Sequence, residues 1–160
     1  MSTPLFTCPL HTFLPIKAGL NEIDFHGPGQ LSDSVPKELT SQLGDDFVLY
    51  FSDYLNWVPS YIPKGNVFEK NMGLNHYGYT VFQNEGIAKL TSLLLKIHNL
   101  FECAPLNFDL NGLYTKYPDG TEGYEKHFVK KAEFLARVND LSRVCEYSLK
   151  SNSLLIHEGI

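Results

Sequence analysis

YGYTVFQNEGIAKLTSLLLKIHNLFECAP (residues 77–105) carries both periods of secondary structure in one run, and their order decides the fold. Its opening, YGYTVF (77–82), is rich in aromatic and β-branched side chains, which fit a strand. From Asn84 the period lengthens. Ile87, Leu90, Leu94, Ile97 and Phe101 recur every three or four residues and make one stripe, widened by Leu93 and Leu100. Asn84 caps this helix, Glu85 sits in its first turn and Pro105 closes it. A strand followed by a long amphipathic helix must bury the helix stripe on a sheet.

Toward the C-terminus, NFDLNGLY (107–114) sets Phe108 and Leu110 against polar neighbours, as a strand does, and YPDGTEG (117–123) is turn chemistry. Residues 125–150 hold a helical period through Phe128, Ala132, Leu135, Val138, Leu141, Cys145 and Leu149. Asn152 ends that helix, and LLIH (154–157) is a final short strand. The second half therefore reads β-α-β-α-β. The expected fold is α/β, with α+β as the alternative: a mixed sheet with packed helices, in a single domain over residues 1–160 whose N-terminal third is less regular.

Toward the N-terminus, GLNHYGYT (73–80) matches a phosphate-binding loop at seven of eight positions, with tyrosine in place of the lysine. That loop must open directly into a helix, and this one opens into a strand. Gly73 instead suits a turn, and Gly78 a bulge or a close backbone approach. DDFVLYFSDYLNWV (45–58) has strand-like residue types but spaces Phe47, Tyr50, Phe51, Tyr54, Leu55 and Val58 as a helix does, and we read it as one, ended by Pro59 and Pro63. IPKGN (62–66) is a turn. A short helix is expected from Ser34 to Gly44, and GLNEIDF (19–25) is a candidate strand.

With 160 residues, 43% of them hydrophobic, and a net charge of only -5, the chain is expected to be ordered. It is long enough to bury roughly two-thirds of its surface. No apolar run approaches the roughly 20 residues of a membrane span, and the N-terminus lacks a leader pattern, so the expected address is the cytoplasm. Cys8, Cys103 and Cys145 show no CxxC spacing and read as reduced thiols, the last two as core residues. Residues 1–80 carry 4 Lys and 8 Asp or Glu (-4), whereas residues 81–160 carry 9 Lys or Arg and 10 Asp or Glu (-1). Such acidity disfavours nucleic acid and suits a basic partner, although mild acidity is also common in cytosolic proteins.

Histidines stand at 11, 26, 76, 98, 127 and 157, without HExxH or helical i, i+4 pairs. Zinc needs three or four converging ligands, and only Cys8 and His11 lie close in sequence, so no metal site and no cofactor are expected. There is no G-x-S-x-G; His76 with a carboxylate is the one acid–base arrangement that only three dimensions can reveal. Tyrosines and Trp57 gather at 50–61 and 114–124, flanked by Asp45, Asp46 and Asp53 and by Asp119, Glu122 and Glu125. Singly they read as half-buried core residues; together they suit an acidic, aromatic interface.

The run 77–105, followed by FDLNGLY (108–114), a long last helix and SLLIHEGI (153–160), resembles the bacterial immunity proteins of contact-dependent growth inhibition and related polymorphic toxin systems. The shared pattern covers the second half of the chain. The resemblance implies stoichiometric binding of a cognate toxin C-terminal domain, often a basic nuclease, with no catalytic residues. Composition, not a family motif, nominates Asp45, Asp46, Asp53, Trp57, Tyr61, Asp119, Glu122 and Tyr124 as partner-binding residues. The alternative is a small cytosolic hydrolase or ligand-binding domain, which requires a pocket with a histidine against a carboxylate.

Overall fold

The computed structural model describes residues 9–27 and 29–160. In chain order the elements are β1 (Leu10–Ile16), β2 (Ser41–Gly44), α1 (Asp45–Tyr50), α2 (Ser52–Leu55), β3 (Pro59–Lys64), β4 (Val67–Met72), β5 (Tyr79–Phe82), α3 (Asn84–Glu102), β6 (Asn107–Lys116), β7 (Glu122–Lys130), α4 (Lys131–Lys150) and β8 (Leu154–Glu158). Six strands form one sheet in the order β2-β1-β8-β5-β3-β4, while β6 and β7 make a separate ribbon. Helices packed on a sheet are as expected, and the class is α+β. All the ladders are antiparallel, so the sheet is not mixed. The reason is topological: hairpins and long returns replace the parallel crossovers that a β-α-β reading implied.

β8 occupies the centre. It pairs with β1 from Thr12↔Glu158 to Ile16↔Leu154 and with β5 from Tyr79↔Glu158 to Phe82↔Leu155. Alternation then sorts side chains onto two faces. Phe13, Phe82 and Leu155 face the helices and join the main core. Leu14, Val81 and Ile156 face the other way, under Leu20, Ile23, Phe25, Leu31 and Val35. Two single 3-10 turns, Leu20–Glu22 and Leu31–Ser34, carry Leu20 and Leu31, and the segments just after them carry Ile23, Phe25 and Val35. Glu158, buried on this face, accepts from the Ser32 backbone N–H at 2.8 Å and from Ser32 Oγ at 2.7 Å, which ties the cover to the sheet.

α3 buries Ile87, Leu90, Leu94, Ile97 and Phe101, the stripe expected from sequence. The segment expected as a helix over 45–58 is helical from 45 to 55, in two pieces broken at Phe51, and residues 56–58 turn into β3. Rings from four elements meet where α1, α3, α4 and the ribbon converge: Phe101 and Phe134 lie 4.3 Å apart, Phe47 and Phe134 5.4 Å, and Phe101 and Phe108 5.6 Å.

Elsewhere the chain departs from expectation. Residues 19–25 hold a 3-10 turn, not a strand, and the helix expected over 34–44 is a single 3-10 turn at Lys37–Leu39 followed by β2. The helix expected from 125 begins at Lys131, and residues 122–130 are β7. Phe128 fitted the helical stripe by coincidence; it stands on the outer face of the ribbon. The hairpin turn closes through Tyr117 and Thr121, with Gly120 at φ +88°, a conformation glycine adopts freely. Cys145 is buried, with its thiol pushed up to about 12 by desolvation, whereas Cys103 is exposed. Cys8 lies outside the described residues. Among the described residues no helix is long and apolar enough to cross a membrane.

Phe134 is 6% exposed and touches rings from three other elements, so Phe134→Ala leaves a cavity that cannot collapse. We expect it to cost about 3–5 kcal/mol in urea unfolding. Phe128→Ala, on the outer face of β7, is expected to stay within about 0.5 kcal/mol of the parent. A large loss at Phe128 would favour the helix over the strand.

Candidate functional site: a histidine–aspartate cluster beside an acidic cleft

Three strands aim a polar side chain at the helix-covered face of the sheet. His157 on β8 lies opposite Phe13 of β1 and opposite Thr80 of β5, and His11 is one pleat along β1 from Phe13. His11, Thr80 and His157 are all fully buried. A slip of one residue in either ladder would turn them to the opposite face. Asp45, the first residue of α1, and His76, in the loop before β5, close the group from the solvent side.

The contacts form one chain. His76 Nε2 lies 2.7 Å and His11 Nε2 3.0 Å from the same oxygen, Oδ1 of Asp45. His11 Nδ1 lies 2.8 Å from His157 Nε2, and His157 Nδ1 3.2 Å from Thr80 Oγ1. The Asn75 backbone N–H donates to Thr80 Oγ1 at 2.8 Å. Donor and acceptor counting fixes the protons. A carboxylate only accepts, so both Nε2 atoms donate to Asp45. Neutral His11 then accepts at Nδ1 from His157 Nε2–H, and His157 accepts at Nδ1 from the Thr80 hydroxyl. Every link points toward Asp45, so the dipoles add along the chain.

Burial sets the charge state of the inner pair. Desolvation, and then the neighbouring His11 and His76, lower the pKa of His157 to about 3. His11 is also lowered, chiefly by desolvation, with the Asp45 hydrogen bond opposing. Both are therefore neutral at physiological pH. The rings pack as well: His11 stacks on His157 at 5.1 Å, and His76 meets His11 edge-on at 4.8 Å.

The loop bearing His76 is fixed by its backbone. The Ile160 N–H donates to the His76 carbonyl at 3.0 Å and the Gly159 N–H to the Gly78 carbonyl at 2.9 Å. A Cβ at Gly159 would run into the His76 carbonyl, so this close approach needs glycine. Gly73, at φ +82°, turns the chain out of β4. The supposed phosphate loop is thus the segment that positions a histidine.

Chemically, His11 Nε2, Asp45 Oδ1 and His76 Nε2 are nitrogen and oxygen donors within 4.8 Å of one another, a set able to ligate a metal ion. Local spacing could not reveal them. The one sequence clue was polar residues at positions that alternate with core residues: His11 with Phe13, Thr80 with Phe82 and His157 with Leu155.

Next to the cluster, a cleft of about 520 Å³ runs between α1 and the ribbon. Leu49, Tyr50, Leu113 and Phe128 line it together with Asp46, Glu125 and Glu133, and Lys130, 3.3 Å from Glu133, and Arg137 stand at its wall. The nominated partner-binding residues separate into distinct places. Asp45 turns inward to the histidines, and Asp46 accepts from the Phe47 N–H at 2.8 Å while remaining on the surface by the cleft. Asp53 and Trp57 are exposed at α2 and just beyond it, with Trp57 edge-on to Tyr54 at 5.1 Å. Tyr61 is half-buried against the second core. Asp119, Glu122 and Tyr124 come together at the ribbon: Asp119 holds the turn through Thr121, and Tyr124 meets Tyr114 edge-on at 5.2 Å. Hydrogen bonds from Thr121 also hold the Asp119 carboxyl below its ordinary pKa. Sequence reasoning missed Leu113 and Phe128 in the apolar lining of the cleft; Leu113 is exposed in step with Asp109 and Asn111, and the β-bulge between Asn111 and Tyr114 exposes Tyr114 beside it.

The chain matches no protein-family model, no curated protein and no solved structure. The geometry of the cluster nevertheless carries a measurable consequence. Between pH 6.5 and about 3 the unfolded chain protonates its histidine at 157 while the folded chain does not, so stability falls as pH falls through that window. We expect a loss on the order of 2 kcal/mol from His157 between pH 7.5 and 5 in metal-free buffer. His157→Gln should flatten the slope by about one proton. Unfolding free energies independent of pH over this range would contradict the buried neutral pair.

Proposed function

We propose that the protein is an immunity protein: it binds a cognate bacterial toxin domain stoichiometrically and neutralises it without turnover. The observation that carries this reading is the cleft between α1 and the ribbon. Its exposed apolar lining, Leu49, Tyr50, Leu113 and Phe128, offers area for a partner to bury. Its carboxylates, Asp46, Glu125 and Glu133, outnumber its cations Lys130 and Arg137, Lys130 being paired with Glu133 at 3.3 Å, a balance that favours a basic partner. A basic nuclease domain has that character. The second-half resemblance to immunity proteins of polymorphic toxin systems supports the same reading.

The surface around the cleft extends the site. Tyr114 and Tyr124 stand exposed along the ribbon, and Trp57 is exposed beyond α2. Aromatic anchors ringed by carboxylates combine contact area with steering of a cationic partner. Each ribbon strand pairs only with the other, so an outer edge also offers backbone groups for strand addition. In this reading the cell compartment is the cytoplasm and the acidic surface excludes nucleic acid as the partner.

The His76–Asp45 pair is the observation on the side of a small hydrolase. Asp45 reaches the cleft wall, but neither His76 nor His11 lines the cleft, and His76 Nε2 is spent on Asp45. An acid–base group needs reach to a bound substrate, so binding is favoured over catalysis.

The test is co-expression with the C-terminal domain encoded by the upstream neighbouring gene. That domain alone should arrest growth, and the protein should restore growth and co-elute with it at one to one. Asp46→Lys with Glu125→Lys should weaken the complex at least about tenfold at low salt and less at high salt. Growth arrest that the protein does not relieve, or affinity unchanged by the double reversal and by Leu113→Asp, would overturn the proposal.

A further inference from the structure

We propose that His11, Asp45 and His76 form a binding site for a divalent transition-metal ion of the zinc type. The site does not rest on the partner reading; of its three ligands only Asp45 also reaches the cleft wall.

Three observations converge. The first is the donor set. Two imidazole nitrogens and one carboxylate oxygen lie within 4.8 Å of one another, from β1, the start of α1 and the loop before β5. A tetrahedral zinc ion with bonds of about 2.0–2.1 Å holds its ligand atoms about 3.3–3.4 Å apart. The nitrogens stand 3.0 and 2.7 Å from Asp45 Oδ1, and the three donor atoms lie within 4.8 Å of one another, so an ion enters by drawing the part-exposed His76 ring toward His11 by about an ångström. Imidazole with carboxylate suits zinc and its neighbours; magnesium and calcium prefer all-oxygen shells.

The second is the shell behind the ligands. A metal-bound histidine needs its other ring nitrogen held by an acceptor. His11 Nδ1 already lies 2.8 Å from His157 Nε2, and His157 is backed in turn by Thr80 at 3.2 Å. Binding at His11 Nε2 reverses the chain: His11 Nδ1–H donates to His157, and His157 Nδ1–H donates to Thr80 Oγ1. Imidazole tautomers and a rotating hydroxyl permit that reversal without any change in proton count. A hydrophobic residue at 157 would have packed on Phe13 equally well, but it could not serve this role.

The third is access. His11 is sealed in the core, whereas the side chains of Asp45 and His76 are 17% and 24% exposed. The ion therefore enters from the solvent side, and three protein ligands leave a fourth position there for water or for a group brought by a partner. The loop bearing His76 is held by one backbone hydrogen bond from Ile160 to His76 and one from Gly159 to Gly78, so the ligand is not carried on a loose loop.

The experiment uses the tag-free chain, stripped with a chelator and titrated with zinc by calorimetry, with cobalt(II) as a spectroscopic probe. We expect one ion per chain, cobalt d–d bands of tetrahedral intensity, and a Tm raised by zinc but not by magnesium or calcium. His76→Ala, at the solvent edge, should weaken zinc binding at least 100-fold while leaving the Tm of the stripped protein near that of the parent. His157→Gln should weaken it about 10–100-fold through the shell behind His11. His98→Ala, on α3, should change nothing. Absence of binding heat and of cobalt bands, or binding that survives His76→Ala, would overturn the proposal. So would a stronger response to magnesium or calcium than to zinc.

Discussion

The pairing of β8 with β1 on one side and β5 on the other organises everything else in the molecule. β1 and β5 do not pair with each other; the β2–β1 side of the sheet and the β5–β3–β4 side are joined through β8, Leu154–Glu158. Those five residues alternate Leu155 and His157 toward the helices with Leu154, Ile156 and Glu158 toward the 3-10 cover. One register thus fixes two cores, the tie to Ser32 and the inner end of the histidine chain together. A strand buried on both faces usually reads as apolar throughout, and His157 and Glu158 are tolerated in it because each has a full set of hydrogen-bond partners.

Asp45 links the inside to the outside. It begins α1, where a carboxylate is favoured by the helix dipole, and it accepts from two histidines through one oxygen. Its neighbour Asp46 faces the cleft. Two adjacent carboxylates with the same sequence context therefore serve different surfaces, one turned to the sheet and one to the ribbon. The change of direction at the β2–α1 junction makes this so: the Asp45 N–H is bound by the Pro9 carbonyl at 3.0 Å, which pins the first turn against β1.

Sequence legibility followed the range of the forces involved. β5, α3 and β8 were legible because alternation and the 3.6-residue stripe are local patterns, and here burial agrees with them. β7 was not, because Phe128 continues the spacing of α4 backward by accident; only the partner strand β6 decides the matter. β1 was obscured by its prolines, Pro9 and Pro15, the first just before the strand and the second near its end. The cluster was the least legible part. Its members sit at 11, 45, 76, 80 and 157, and His11 bonds His157 across 146 residues. No spacing rule reaches that far. The acidic and aromatic surface was legible as composition, yet composition could not tell that Asp45 points inward or that a bulge exposes Leu113 and Tyr114 side by side.

The central place of β8 also has a consequence for how the chain is made. During vectorial synthesis β1 and β5 leave the ribosome long before residues 154–158, and until then each has an unpaired edge and an apolar face. The β3–β4 hairpin and the ribbon are local and can form early, but the sheet itself can close only after the last strand arrives. The nascent protein is therefore a set of separate hairpins and helices held open for a keystone. Until β8 pairs, the facing edges of β1 and β5 are open to strand exchange with a second copy, and the pairing that closes them is the one that buries His11 and His157.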